Sequence, residues 1–156
     1  MNKEILEELI ELEEINIKLS TEYEEKQSYE MAFIAIWSIL ERIMKSIASV
    51  EIRKRLRLNI DDWVKYLNDP EKVEKPDEIR NFATEYTSHA IPHISLIEAA
   101  IGDVPELKEL MNTKGKYRKK RNDIAHRADK MSKAVYSDYK MAACAAIDEL
   151  KRILSK

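Results

Sequence analysis

Glycine and proline are scarce in this chain, with two glycines and four prolines among 156 residues. Sheets need frequent turns, which these residues supply, so their scarcity disfavours a β-rich fold. No apolar run reaches transmembrane length and no basic-then-apolar leader opens the chain, so we expect a cytoplasmic protein without a membrane partner. The lone cysteine, Cys144, excludes an internal disulfide and fits a reducing compartment.

The residues that dominate instead are alanine, leucine, isoleucine, glutamate and lysine, which favour helices. The length suits one domain with a hydrophobic core. We therefore predict a single all-α domain over residues 1–156, an up-and-down bundle of about five to seven helices. No glycine-rich phosphate loop is present, which argues against P-loop and Rossmann nucleotide sites, and we predict no cofactor.

Apolar residues at helical spacing predict the first two helices. The first covers residues 2–19, with its glutamates on the opposite face. Thr21 and Glu24 have the spacing of a capping box, which predicts that the second helix begins there and runs to about Arg57. This second helix holds the most apolar part of the chain, around Trp37, and should lie at the centre of the bundle.

Capping and breaking signals mark the middle of the chain. Asn59 is a candidate N-cap of a short helix that Pro70 ends, and Pro76 can begin another helix that ends before Pro92. Gly102 suits the position after a further helix.

Similar signals divide the last third. Asp103 is a plausible N-cap for the next helix, which Gly115 bends or interrupts. A basic motif segment at residues 116–128 follows. Ser137 can then cap a closing helix over about 137–155.

Two sets of reactive side chains have simpler interpretations. Glu85, His89 and His93 are four residues apart, like a metal-binding set, but Pro92 should break their common helix face and no fourth ligand accompanies them. We therefore predict no metal site. Cys144 lies among alanines on an amphipathic helix, where an inert, buried thiol is more common than a nucleophile.

The net charge of −2 conceals a strong asymmetry. Residues 1–30 contain ten glutamates and three lysines, whereas residues 114–130 contain eight basic residues and two aspartates. A basic segment of this kind suggests a polyanionic partner. The alternative is that the two segments face each other or the solvent.

Within the basic segment, Arg121, Asn122 and His126 form the candidate catalytic set. Asn122 and His126 are four apart on a helix, so the amide could hydrogen-bond and orient the imidazole. His126 should lie near a helix C-terminus, where the dipole favours the imidazolium and neighbouring cations oppose it. Residues whose charge would attract RNA phosphates surround the set: Lys116, Arg118, Lys119, Lys120 and Arg127.

These residues resemble the signature of the HEPN superfamily, an Arg followed after four to six residues by a His, often with a polar residue directly after the Arg. The surroundings are also similar: an upstream helix containing Phe33, Trp37 and Leu40-Glu41, and a long closing helix. The resemblance covers roughly residues 28–154.

The resemblance implies a metal-independent endoribonuclease that acts as a homodimer, used as a toxin or defence effector and paired with an antitoxin or regulatory protein. His126 would act as general acid or base at the ribose 2′-hydroxyl or the leaving oxygen, and Arg121 would hold the phosphate. Asn122 would orient His126 or touch the phosphate. Independently, one matching His per chain favours a two-fold dimer, because the chemistry benefits from both an acid and a base.

One branch of the family carries a tyrosine two residues after the His, where this chain has Ala128. Modification of that tyrosine is therefore not expected here. Two other functions stay open. The fold could bind RNA or a protein without turnover, or the chain could be a structural subunit whose basic segment pairs with its acidic first helix.

Overall fold

A computed structural model describes residues 2–58, 60–72, 91–112 and 115–156. Within these ranges the chain forms helices and no strand, which confirms the all-α prediction. The helices are α1 Asn2–Glu25, α2 Tyr29–Leu58, α3 Ile60–Asn68, α4 Ile94–Ile101, α5 Pro105–Leu110, α6 Lys116–Arg127 and α7 Lys133–Leu154. None of these helices combines the length and the apolar content needed to cross a bilayer.

The chain divides into two compact units, and the division falls inside α2. One unit comprises Met1–Ile43 and Asp103–Lys156, and the other comprises Met44–Gly102. The second unit contains α3, α4 and the C-terminal half of α2. The prediction of a single domain over residues 1–156 stays a prediction.

The first unit has an aromatic core formed by α2 and α7. Phe33 lies 4.2 Å from Tyr139 and 5.7 Å from Trp37, measured between ring centroids. All three side chains are buried. The closing helix α7 also packs against α1 and α5. The predicted burial of Trp37 is therefore confirmed, and every residue of the candidate catalytic set belongs to this unit.

The turn between α1 and α2 lies later than predicted. Thr21 does not cap α2; its hydroxyl donates to the Ile17 carbonyl inside α1. α1 ends at Glu25, and Gln27 in the turn that follows has a left-handed φ of 57°. The amide of Ser28 donates to the Tyr23 carbonyl, which closes the turn in the manner of a Schellman motif. The capping-box spacing of Thr21 and Glu24 therefore does not start α2, because both residues continue α1.

The signals around α4 and α5 were partly right. Gly102 follows α4 with a φ of 91°, as predicted. Asp103 is not the N-cap of α5, because that position belongs to Val104 and Pro105 opens the helix. The N-terminal amides of α5 find their acceptor on α7. The buried Glu149 carboxylate accepts hydrogen bonds from the amides of Glu106 and Leu107.

The ends of α6 and α7 correct two further predictions. The helix predicted to reach Gly115 ends earlier, at Leu110, and Gly115 is the N-cap of α6. Ser137 is not the cap of α7: the helix begins at Lys133, and the Ser132 side chain accepts from the Val135 amide. The short helix that Pro70 ends is confirmed as α3. The helix predicted from Pro76 lies outside the described residues.

Candidate functional site

The motif segment forms α6, a helix with no buried residue. It contacts the aromatic core of the first unit through Tyr117, whose ring is edge-on to the Tyr139 ring with 5.2 Å between the ring centroids. Arg121 and Ile124 follow at helical spacing and are half-buried like Tyr117. These three residues define the inner face of α6.

Arg121 lies on this inner face and is engaged within its own chain. Its Nη2 is 3.4 Å from Oε2 of Glu41 on α2, and its Nη1 makes a long, 3.4 Å contact with Oδ1 of the adjacent Asn122. The Arg121 side chain is 30% exposed and that of Glu41 is 16% exposed. The guanidinium is therefore held in place, while part of it still reaches solvent.

Asn122 and His126 lie on the outer face of α6, and both are exposed. The predicted hydrogen bond between the Asn122 amide and the imidazole is not among the contacts of the described residues, and the Asn122 Oδ1 accepts from the Arg121 Nη1. Residues five apart point about 140° away from each other on a helix, so Arg121 and His126 of one chain face different directions. One copy does not bring them together.

The C-terminal turn of α6 is strongly bent at Ala128, which has a left-handed φ of 50°. The amides of Ala128 and Asp129 both donate to the Asp123 carbonyl. Lys120 reaches across the turn to the Asp129 carboxylate and the Lys130 carbonyl. This arrangement confirms that His126 lies in the last turn of its helix.

The basic residues of α6 differ in how they are engaged. Lys120 pairs with Asp129, and the Arg127 Nη1 lies 3.6 Å from the Asp123 Oδ1. The Lys116 Nζ lies 4.8 Å from the centroid of the Tyr117 ring. The side chains of Arg118 and Lys119 make no ion pair or hydrogen bond with the described residues, although the Lys119 backbone amide donates to the Gly115 carbonyl. These two cations are the most available to an external anion.

The acidic first helix pairs with other helices. Glu8 meets Arg42 of α2, Glu13 meets Lys151 of α7, and Glu24 accepts from Lys140 and Tyr136 of α7. The partners named here for these three carboxylates belong to α2 and α7. The basic segment meets the acidic one at Lys130, whose Nζ is 3.2 Å from Glu30.

Comparison of the chain with protein-family models, with curated protein sequences and with solved structures gave no match. The geometry of α6 is thus the basis for any functional proposal.

The other reactive side chains add no second site. Glu85 and His89 lie outside the described residues, and within those described no group of three potential ligands could hold a metal ion. Cys144 is half-buried, and burial raises the pKa of its thiol above the ordinary value. A raised pKa lowers the fraction of reactive thiolate, which favours the inert interpretation of this residue.

Sequence reasoning did not predict Glu41 as the partner of Arg121. The two residues are 80 positions apart, and no local pattern links them. The separation of α6 into an inner and an outer face, in contrast, follows from the spacing of Tyr117, Arg121 and Ile124.

Proposed function

We propose that the chain is a metal-independent endoribonuclease of the HEPN type that acts as a symmetric dimer. The observation that carries the proposal is the exposed outer face of α6, which presents Asn122 and His126 on a helix with six lysine or arginine residues and one aspartate. Such a helix attracts a phosphate backbone and offers an imidazole as proton donor or acceptor at its surface.

The proposed reaction uses the ribose 2′-hydroxyl as nucleophile. His126 of one copy removes the hydroxyl proton as the 2′-oxygen bonds to phosphorus, and the bond from phosphorus to the 5′-oxygen breaks. His126 of the partner subunit returns a proton to that oxygen. The products are a 2′,3′-cyclic phosphate and a 5′-hydroxyl, and the substrate must be RNA.

The roles of Arg121 and Asn122 follow from their positions. Arg121 carries five N–H donors, so its pairing with Glu41 leaves donors for a phosphate oxygen at the exposed part of the guanidinium. Because Arg121 and His126 of one chain point apart, we place Arg121 of one copy at the site that holds the partner's His126. Asn122 donates to the phosphate from the outer face.

The test is cleavage of a mixed-sequence, single-stranded RNA in the presence of a chelator, with DNA of the same sequence as control. Wild type should cut only the RNA and leave cyclic-phosphate ends. His126→Ala should lose about 100-fold or more in rate. Cleavage that needs an added metal ion, or equal cleavage of DNA, would contradict the proposal.

Mixed dimers test the shared site. Wild type refolded with an equal amount of His126→Ala should keep about a quarter of the activity of the same total amount of wild type, because only about a quarter of the dimers carry both imidazoles. Retention of about half of the activity would show that each chain cleaves RNA without the partner's His126.

A binding module without turnover is the second candidate, and the Glu41–Arg121 pair favours it. A carboxylate that holds the guanidinium competes with phosphate for the same donors. If wild type and His126→Ala bind RNA alike and neither cleaves it, this second function is correct.

A further inference from the structure

Three residues line up along the outer face of α6. The step from Lys119 to Asn122 is three residues and the step from Asn122 to His126 is four, so their Cα–Cβ directions lie within about 60° of each other around the helix. All three residues are exposed. Along the helix the row runs from the Lys119 ammonium through the Asn122 amide to the His126 imidazole.

Lys119 is distinguished from the other cations of α6 by its surroundings. Lys120, Arg121 and Arg127 are in ion pairs, and Lys116 lies over the Tyr117 ring. Lys119 has no such partner among the described residues. Arg118 also lacks one, but it is half-buried and lies about 100° around the helix from Lys119.

We infer that Lys119 is a substrate-binding residue that holds a phosphate of the RNA strand next to the one cleaved at His126. The inference takes its substrate class from the proposed function. Lys119 and His126 are seven residues apart, about 10 Å along the helix axis, so they contact different phosphates of one strand. Lys119 thereby fixes the direction in which the strand crosses α6, with Asn122 between the two contacts.

The experiment follows the His126 imidazole signal by NMR while a 2′-O-methyl RNA hexamer is added at low salt. The methyl group removes the nucleophilic hydroxyl, so binding is measured without cleavage. The signal is assigned by its loss in His126→Ala. Wild type should show a saturable shift, and Lys119→Ala should weaken the apparent affinity by about 10-fold.

Arg118→Ala is the matched control, because it removes one cation of the same helix that lies about 100° around the axis from Lys119 and about 80° from His126. It should weaken binding by about 3-fold or less, and Lys119→Arg should stay close to wild type. Equal losses in Lys119→Ala and Arg118→Ala would overturn the inference. Binding that leaves the wild-type His126 signal unmoved, or no binding at all, would also overturn it.

Cleavage assays on the same proteins separate this inference from the proposed function. If wild type cleaves RNA and Lys119→Ala behaves like Arg118→Ala, the nuclease stands and the role of Lys119 is wrong. If the NMR pattern appears and wild type cleaves nothing, the nuclease is wrong and Lys119 still marks the RNA-binding face.

Discussion

Glu41 and Arg121 are 80 positions apart in the chain and form an ion pair, with 3.4 Å between Oε2 and Nη2. The pair joins α2 to α6 and, with the Tyr117–Tyr139 ring contact, determines which side of α6 faces the protein. Lys119 and His126 are left on the opposite side.

The strength of this pair can be measured by a double-mutant cycle. Glu41 has a further interaction besides Arg121, so single substitutions report more than one contact. For Glu41→Gln combined with Arg121→Gln, we expect a coupling energy of about 0.5–1 kcal/mol, since both side chains are partly shielded from water. Urea denaturation of the four proteins gives this value.

The control is the Asp123–Arg127 pair on the same helix, in which the arginine side chain is 78% exposed. Its coupling energy should be close to zero, because solvent screens an exposed pair. A coupling at Glu41 no larger than that of the control would show that the ion pair does not hold α6.

Glu149 should be the main support of α5. Its carboxylate lies 3.0 Å from the Leu107 amide and 3.3 Å from the Glu106 amide. Glu149→Ala leaves two helix N-terminal donors without this acceptor and should lower the free energy of unfolding by about 2 kcal/mol. Glu149→Gln keeps one accepting oxygen and should lose about half as much.

Thermal and urea unfolding measure these losses. Asp138→Ala provides the comparison, because Asp138 is exposed on the same helix, and it should stay within about 0.5 kcal/mol of wild type. If Glu149→Ala unfolds at the same urea concentration as Asp138→Ala, water replaces the carboxylate without cost.

The free energy of unfolding should fall in acid because the Glu24 carboxylate becomes protonated. Partial burial raises the pKa of Glu24, but hydrogen bonds from Lys140 and Tyr136 outweigh it, so its pKa lies below the ordinary 4.5. A depressed pKa in the folded protein gives stability that is present above pH 4.5 and is lost as the pH falls through the lower, folded value.

Glu24→Gln should therefore be less stable than wild type by about 1 kcal/mol at pH 7, and the difference should shrink below pH 4.5. Unfolding curves between pH 3 and 7 measure it. Glu22→Gln, at an exposed position of the same helix, should follow wild type at every pH. A Glu24→Gln difference that does not change with pH would contradict the linkage.

Glycine should have opposite effects at two alanines of the motif segment. Ala128 has a left-handed φ of 50°, so Ala128→Gly should stabilise the protein by up to about 1 kcal/mol. Ala125 is exposed in the interior of α6, where Ala125→Gly should cost about 0.5–1 kcal/mol. Melting temperatures that move in the same direction for both variants would argue against a left-handed turn after Arg127.

Several features of the fold follow from local chemistry. Helical periodicity around Trp37, the end of α3 before Pro70 and the glycine after α4 were all predicted correctly, because each depends on a few neighbouring residues. The caps at Thr21, Asp103 and Ser137 were wrong. A side chain that is able to cap marks only a possible helix start. Which start is used depends on which backbone N–H donors the tertiary structure covers.

The candidate site shows the same limit. The sequence located Arg121, Asn122 and His126 on one helix and His126 at its end, and the structure agrees. It could not show that the Asn122 oxygen turns to Arg121, or that Glu41 holds the guanidinium. Ion pairs between distant segments have no local signature, because their geometry exists only after the helices have packed.

By itself, the sequence determined the helical class, the concentration of positive charge in one segment and the spacing of the motif residues, since these depend on composition and on 3.6-residue periodicity. Only the tertiary structure decided which face of α6 is covered, which cations are already paired, and that α5 is capped from α7. The physical reason is that charge and periodicity are properties of neighbouring residues, whereas burial and pairing depend on residues that folding brings from far along the chain.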